Sequence, residues 1–134
     1  MLITVCKSKI HRATVTEANL EYVGSLTIDH SIMRVANLLE YEKIAVANIT
    51  NGARFETYVL QGAPDSGQIC VNGAAAHLVK PGDLLIIMAY GQVSVEEGRL
   101  FEPAVVFVDE RNRPTKVARE AAGEVFSFSS HPLN

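Results

Sequence analysis

The sequence predicts a small closed β-barrel forming one domain, and three observations carry that reading. Apolar and polar residues alternate in short runs over most of the chain, turn-forming residues interrupt those runs repeatedly, and only one stretch shows a convincing helical stripe. The chain has 134 residues, 48% of them hydrophobic and 20% charged, enough for a single core.

The first strand is read over residues 2–15. Ile3, Val5, Lys7, Lys9, His11 and Ala13 fall on one face, and Cys6, Ser8, Ile10 and Arg12 on the other. Lys9 and His11, two apart on an extended chain, stand about 6.6 Å from each other. A shorter extended piece over 19–22 leads to Gly24-Ser25. The helix follows Ile28, capped by Asp29 or by Ser31, with Ile32, Val35, Ala36 and Leu39 as its apolar stripe. Residues 43–49 and 54–61 form a hairpin around Asn51-Gly52, the favoured pair for a tight turn with positive φ. After a turn at Pro64-Asp65 comes a brief strand over 68–71, then a loop entering a short helical turn from Asn72 to His77. Pro81-Gly82-Asp83 turns the chain into a buried strand over 84–93, Glu96-Glu97-Gly98 make another turn, and 104–108 is the last strand. The barrel domain is placed at 1–112, and 113–134 is read as a solvated tail, poorly ordered or marginally helical.

Charge and composition exclude several roles. The net charge of -3 supplies no global field for nucleic acid or anionic lipid. A nucleic-acid surface built on Lys7, Lys9, Arg12 and Arg34 would also want an aromatic stacking stripe, which is missing. No apolar run approaches the roughly 18 residues of a membrane span, and the first residues do not read as a signal peptide, so a cytoplasmic protein is expected. Cys6 and Cys70 make no disulfide framework and read as buried thiols. The four histidines lack zinc-ligand spacing, so no metal site is expected.

Taken singly, the polar residues are ordinary. Gly-Ser pairs are mostly turns, Lys9 and His11 read as a solvated strand face, and Arg54 and Tyr58 read as an edge residue and a half-buried β-former. In order they are not. Lys9-Ile10-His11-Arg12, Tyr22-Val23-Gly24-Ser25 with Ile28-Asp29, Asn48-Ile49-Thr50-Asn51-Gly52 with Arg54 and Thr57-Tyr58, and Val71-Asn72-Gly73-Ala74-Ala75-Ala76-His77 together resemble the bacterial aspartate 1-decarboxylase family, from the first residues to about Val108.

The resemblance implies a six-stranded double-psi β-barrel that assembles as a homotetramer with active sites between subunits. It implies a pyruvoyl-dependent enzyme converting L-aspartate to β-alanine and CO2 for pantothenate and coenzyme A biosynthesis. The precursor is expected to cut itself at Gly24-Ser25, leaving a covalent pyruvoyl group derived from Ser25, which forms a Schiff base with the substrate amine. Such a ketone is a built-in electron sink, so pyridoxal phosphate is not expected. Thr57 and Asn72 take part in self-processing by the same resemblance, and Tyr58 matches the proton donor to the α-carbon. Arg54 suits a bidentate grip on the substrate's side-chain carboxylate, with Lys9 and a protonated His11 adding charge. Thr57, Gly73, Ala74 and Ala75 match further substrate contacts. Many family members carry tryptophan where this chain has Ala47. Whether processing needs a maturation partner is left open. The alternative is a double-psi barrel serving as a non-enzymatic binding or adaptor module, which predicts an intact chain.

Strict alternation sets one difficulty. It puts Arg54 and Tyr58 on one strand face and Thr57 on the other, which a bulge or a site shared between subunits would reconcile.

Overall fold

Alternation from Leu2 onward dictates a long strand, and β1 (Leu2–Thr14) is one. The structure is a computed structural model and describes residues 1–119. β1 is not a simple two-faced ribbon. Its register slips between Cys6 and Ser8 and again between His11 and Ala13, where Arg12 takes φ 66°. Such bulges change which face later residues present. Ala13 was expected beside Lys9 and His11; it is fully buried with Ile10 instead.

The remaining elements follow in chain order as β2 (Glu17–Asn19), β3 (Ser25–Asp29), α1 (His30–Ala36), β4 (Lys43–Asn48), β5 (Arg54–Gly62), β6 (Ile69–Asn72), a 3₁₀ turn (Gly73–Leu78), β7 (Leu84–Ser94), α2 (Val95–Leu100), β8 (Ala104–Val108) and β9 (Pro114–Arg119). Side by side the strands run β2-β6-β3-β5-β4-β7-β1-β8-β9. β1 and β2 lie far apart in that order, yet only Val15 and Thr16 separate them in the chain. So short a link forces the sheet to curl until its ends meet, which makes a barrel. Backbone bonds from Val15 to Asp83 (2.9 Å) and from Thr16 to Ile69 (2.9 Å) fix the junction. The parallel pairings of β1 with β8, β2 with β6 and β3 with β5, set among antiparallel ones, fit the double-psi barrel that the resemblance implies.

The core fills from one face of each strand. Ile10, Leu26, Ile28, Ile44, Val46, Val59, Ile69, Leu85 and Ile87 are at most 1% exposed. Burying each such side chain contributes roughly 1.5–3 kcal/mol. Asp29, not Ser31, caps α1: its carboxylate accepts from the N–H of Ser31 (2.7 Å), and also from those of Asp65 (3.0 Å) and Gly67 (2.8 Å). Ile32 and Ala36 seal the barrel as expected, but α1 stops at Asn37 in the left-handed region, leaving Leu39 exposed.

Two further expectations change. The residues read as a turn at Glu96-Glu97-Gly98 lie inside α2, because Ser94 Oγ accepts from the Glu97 N–H (3.1 Å) and two acidic residues occupy the first turn. The tail expected from 113 begins with an ordered strand instead: β9 pairs antiparallel with β8 and buries Ala118. The rest of that expected tail lies outside the described residues. Among the described residues, no helix is long and apolar enough to cross a membrane.

Candidate active site

The site is built where β3 begins. Leu26 pairs with Val59 of β5 on one side and with Val71 of β6 on the other, and all three face the core. Alternation then turns Ser25 and Thr27 outward together with Cys70 and Asn72, their partners on β6. Ser25 is fully buried despite that direction. Its Oγ donates to the Val23 carbonyl (3.1 Å) and accepts from Asn72 Nδ2 (3.0 Å). Asn72 Nδ2 also donates to Thr27 Oγ1 (3.1 Å), and Asn72 Oδ1 accepts from the Cys70 thiol (3.1 Å). The serine hydroxyl is therefore held from both sides.

The peptide before it is held as well. Gly73 has φ +74°, and a β-carbon there would come within 2.5 Å of Gly24 Cα and 2.8 Å of Gly24 N. Only glycine permits this approach of two backbones. Ala74 and Ala75 continue into the 3₁₀ turn, the first exposed and the second half-buried.

β5 brings Tyr58 and Thr57 to the same neighbourhood. They stand one and two residues ahead of Val59, as Ser25 and Gly24 stand one and two ahead of its partner Leu26. Tyr58 shares the outward direction of Ser25, and its ring centroid lies 6.4 Å from that of Tyr41. Thr57 pairs with buried Ile44, on the core side. The β4–β5 ladder runs from Lys43 and Tyr58 to Ala47 and Arg54 without a register shift, so no bulge brings Thr57 round to join Tyr58 and Arg54.

The cations lie elsewhere. Successive pairings place Phe107, His11, Ile86, Ala47 and Arg54 in one row across the sheet. The next row holds Lys9, Met88, Ala45 and Glu56. These rows lie on the outer barrel face, between the core residues. Arg54 is four residues from Tyr58, about 13 Å along the strand, and Lys9 lies three strands from β5, about 14 Å around the sheet. Within one chain, then, Ser25 and Asn72 are bonded and Gly73 packs on Gly24, with Thr57 and Tyr58 on the neighbouring strand, while Lys9 and His11 on β1 and Arg54 at the far end of β5 lie apart from them.

His11 packs edge-on against Phe107, with centroids 5.2 Å apart. Burial, reinforced by the charges of Arg12 and Lys9, lowers its pKa below the ordinary imidazole value. The positive charge expected of it is thus disfavoured within one chain.

Cys70 and Thr27, both bonded to Asn72, and Glu17, beside Cys70, are residues near the site that sequence reasoning missed. Cys70 and Asn72 have the spacing of one strand face, but nothing in the sequence pairs β6 with β3. A hollow of about 460 Å³ opens beside them, lined among others by Glu17, Tyr22, Thr27, Glu40, Gln61 and Asn72. A larger one, about 570 Å³, is lined by residues such as Thr4, Ala45, Glu56 and Tyr90 and contains none of the candidate residues. Among the described residues, no three His, Cys, Asp or Glu side chains cluster as metal ligands.

Comparison with known proteins agrees in order and extent. Residues 1–115 match the aspartate decarboxylase family. The chain is 57% identical over 126 residues to an aspartate 1-decarboxylase of Acetivibrio thermocellus, covering 93% of this chain and all of that one. It is 56% identical over 126 residues to an aspartate 1-decarboxylase of Clostridium botulinum, covering 93% and 99%. It is 55% identical over 130 residues to one of Corynebacterium efficiens, covering 97% and 95%.

Proposed function

The chain belongs to the aspartate decarboxylase family and is a carboxy-lyase acting on aspartate, and from that premise we propose that it makes its own catalytic group from Ser25. The product, β-alanine, feeds pantothenate and coenzyme A biosynthesis. The observation that carries the reading is the buried Ser25 hydroxyl, fixed by Asn72 Nδ2 and the Val23 carbonyl next to a peptide that Gly73 packs against.

Self-cleavage begins when Ser25 Oγ attacks the Gly24 carbonyl carbon. The Gly24–Ser25 C–N bond breaks, the hydroxyl proton passes to the nitrogen, and an ester to Oγ replaces the amide. Loss of the Ser25 α-proton expels Gly24 as a carboxylate and leaves an enamine, which water hydrolyses to a pyruvoyl group and ammonia. Fixing Oγ next to its target lowers the entropic part of this barrel-imposed reaction. Thr57, level with Gly24 but on the core side, is the hydroxyl available to the developing oxyanion, while Tyr58 and Asn72 lie on the outer side. On this reading one peptide is reached from both faces of the sheet, Thr57 acting in self-processing from the core side.

Residue 25 fits the group in size and surroundings: it is buried, its side chain is unbranched, and the peptide before it packs against Gly73 rather than a side chain. Once formed, the pyruvoyl ketone supplies an electron sink for the α-carbon. The protein's own residues do the rest. Tyr58, adjacent to Ser25 on the outward face, returns a proton to the α-carbon after CO2 departs. Gly73, Ala74 and Ala75 offer backbone approach to the substrate. Arg54 holds the side-chain carboxylate, and Lys9 and His11, on β1, add to the polar surface that faces it. An aspartate bound beside Ser25 and Tyr58 is too short to reach Arg54, about 13 Å along the strand from Tyr58, or Lys9, about 14 Å around the sheet from β5, on a single chain. These cations therefore come from a neighbouring subunit, in a homotetramer whose sites lie at the contacts. A cytoplasmic location completes the reading.

The test is a denaturing gel with intact-mass analysis of the purified protein. A small fragment ending at Gly24 and a large one starting at residue 25 without a free amine are expected. A homogeneous full-length chain would favour the binding-module alternative.

A further inference from the structure

Ser25 Oγ accepts its hydrogen bond from a primary amide, and a primary amide has two orientations. With Nδ2 turned inward, Asn72 donates to both Ser25 Oγ (3.0 Å) and Thr27 Oγ1 (3.1 Å). Turned the other way, Oδ1 would face Ser25 Oγ. The serine hydroxyl could then donate to Oδ1 only by giving up its bond to the Val23 carbonyl (3.1 Å). A proton donor on the far side of the amide would favour the first orientation.

That side holds Cys70. We propose that Cys70 is a positioning residue for self-cleavage: its thiol donates to Asn72 Oδ1 at 3.1 Å and thereby keeps the Asn72 N–H on the nucleophilic oxygen of Ser25. The inference rests on the reading of Ser25 as the self-cleaving nucleophile. A flipped amide would present N–H groups to sulfur, which is a poor acceptor, so the thiol discriminates between the two orientations in one direction only. The single S–H has one competitor, Glu17 Oε2, at 3.5 Å. The shorter contact belongs to the amide. Burial of the thiol, then the negative charge of Glu17 beside it, push the Cys70 pKa up to about 11, so the donor keeps its proton at neutral pH. The contacts step through two adjacent rows, Glu17 and Cys70 with Thr27, then Asn72 with Ser25, across the paired strands β2, β6 and β3, so they depend on that register.

A merely structural Cys70 would matter through its volume, and a positioning Cys70 through its proton. Cys70→Ser and Cys70→Ala are close in size and differ in the donor. The full-length chain and both variants are made by cell-free translation, and cleavage is followed on a denaturing gel, with the melting temperature of each purified protein measured alongside. Cys70→Ala should cleave about three- to tenfold more slowly, the effect of losing one modest hydrogen bond. Cys70→Ser should cleave close to the parent rate while losing as much melting temperature as Cys70→Ala. Cys70→Val, without a donor but larger than alanine, should be slow as well, and carries the comparison if the alanine variant does not fold. Equal rates for the serine, alanine and valine variants would overturn the inference, as would equal slowing of all three. A parent chain that stays whole would instead remove the self-cleavage reading and this inference with it.

Discussion

A β-carbon on Gly73 would stand 2.5 Å from Cα of Gly24. The residue that opens the 3₁₀ turn is thus the floor under the peptide to be cut. Gly73→Ala meets two obstacles, a positive φ and a backbone contact that cannot give way, and strain of this kind costs on the order of 1–3 kcal/mol. The variant should melt lower and leave the chain largely uncut, because Gly24 must move away from Ser25 Oγ. Normal cleavage of Gly73→Ala would show that the contact does not position the peptide.

Thr57 and Tyr58 are adjacent in sequence and point to opposite sides of the sheet, so their roles can be separated. Thr57→Val keeps the shape without the hydroxyl and should slow or stop cleavage. Tyr58→Phe should cleave normally but lose about 10²–10⁴ in turnover, the range for a positioned acid or base. Fragment formation and β-alanine production are followed on the same preparations. The opposite pattern would exchange the two assignments.

Arg54 tests the assembly as well as the grip. Arg54→Ala should cleave into its two fragments and lose about ten- to a hundredfold in kcat/KM, as expected for one charge-assisted contact. Co-expression of Arg54→Ala with Ser25→Ala should then raise activity above that of either variant alone, because a mixed tetramer contains sites with an intact Ser25 from one chain and an intact Arg54 from another. No recovery in a verified mixed assembly would place the whole site within one chain.

Cys70 should resist alkylation in the folded protein. With its pKa raised to about 11, mainly by burial, only about one thiol in a thousand is ionised at pH 8. Reaction at Cys70, located by peptide mapping, should be slow at pH 8, accelerate as the pH approaches 11, and become fast at pH 8 in denaturant. Rapid labelling of the native protein at pH 8 would contradict the burial and the contact with Glu17.

The sequence by itself determined the class of fold, most strand positions and the identity of the chemistry. Strand periodicity and turn residues are local properties, so Asn51-Gly52 announced its hairpin and 104–108 its strand without help from the rest of the chain. The motifs around Gly24-Ser25, Arg54 and Asn72 identified the family because spacing along the chain survives in a sequence. Where local signals were weak, context decided: Ser94 capped a helix where a turn was expected, β9 gained order from pairing with β8, and the bulge at Arg12 moved Ala13 into the core. Only the tertiary structure decided who touches Ser25. Its neighbours come from β5 and β6, tens of residues away, and strand partners of that kind are fixed by the closure of the barrel rather than by any local preference. The same closure separates Lys9 and Arg54 from Ser25 on one chain, since side chains on the outer face of a curved sheet diverge, and so makes the contact between chains part of the proposed site.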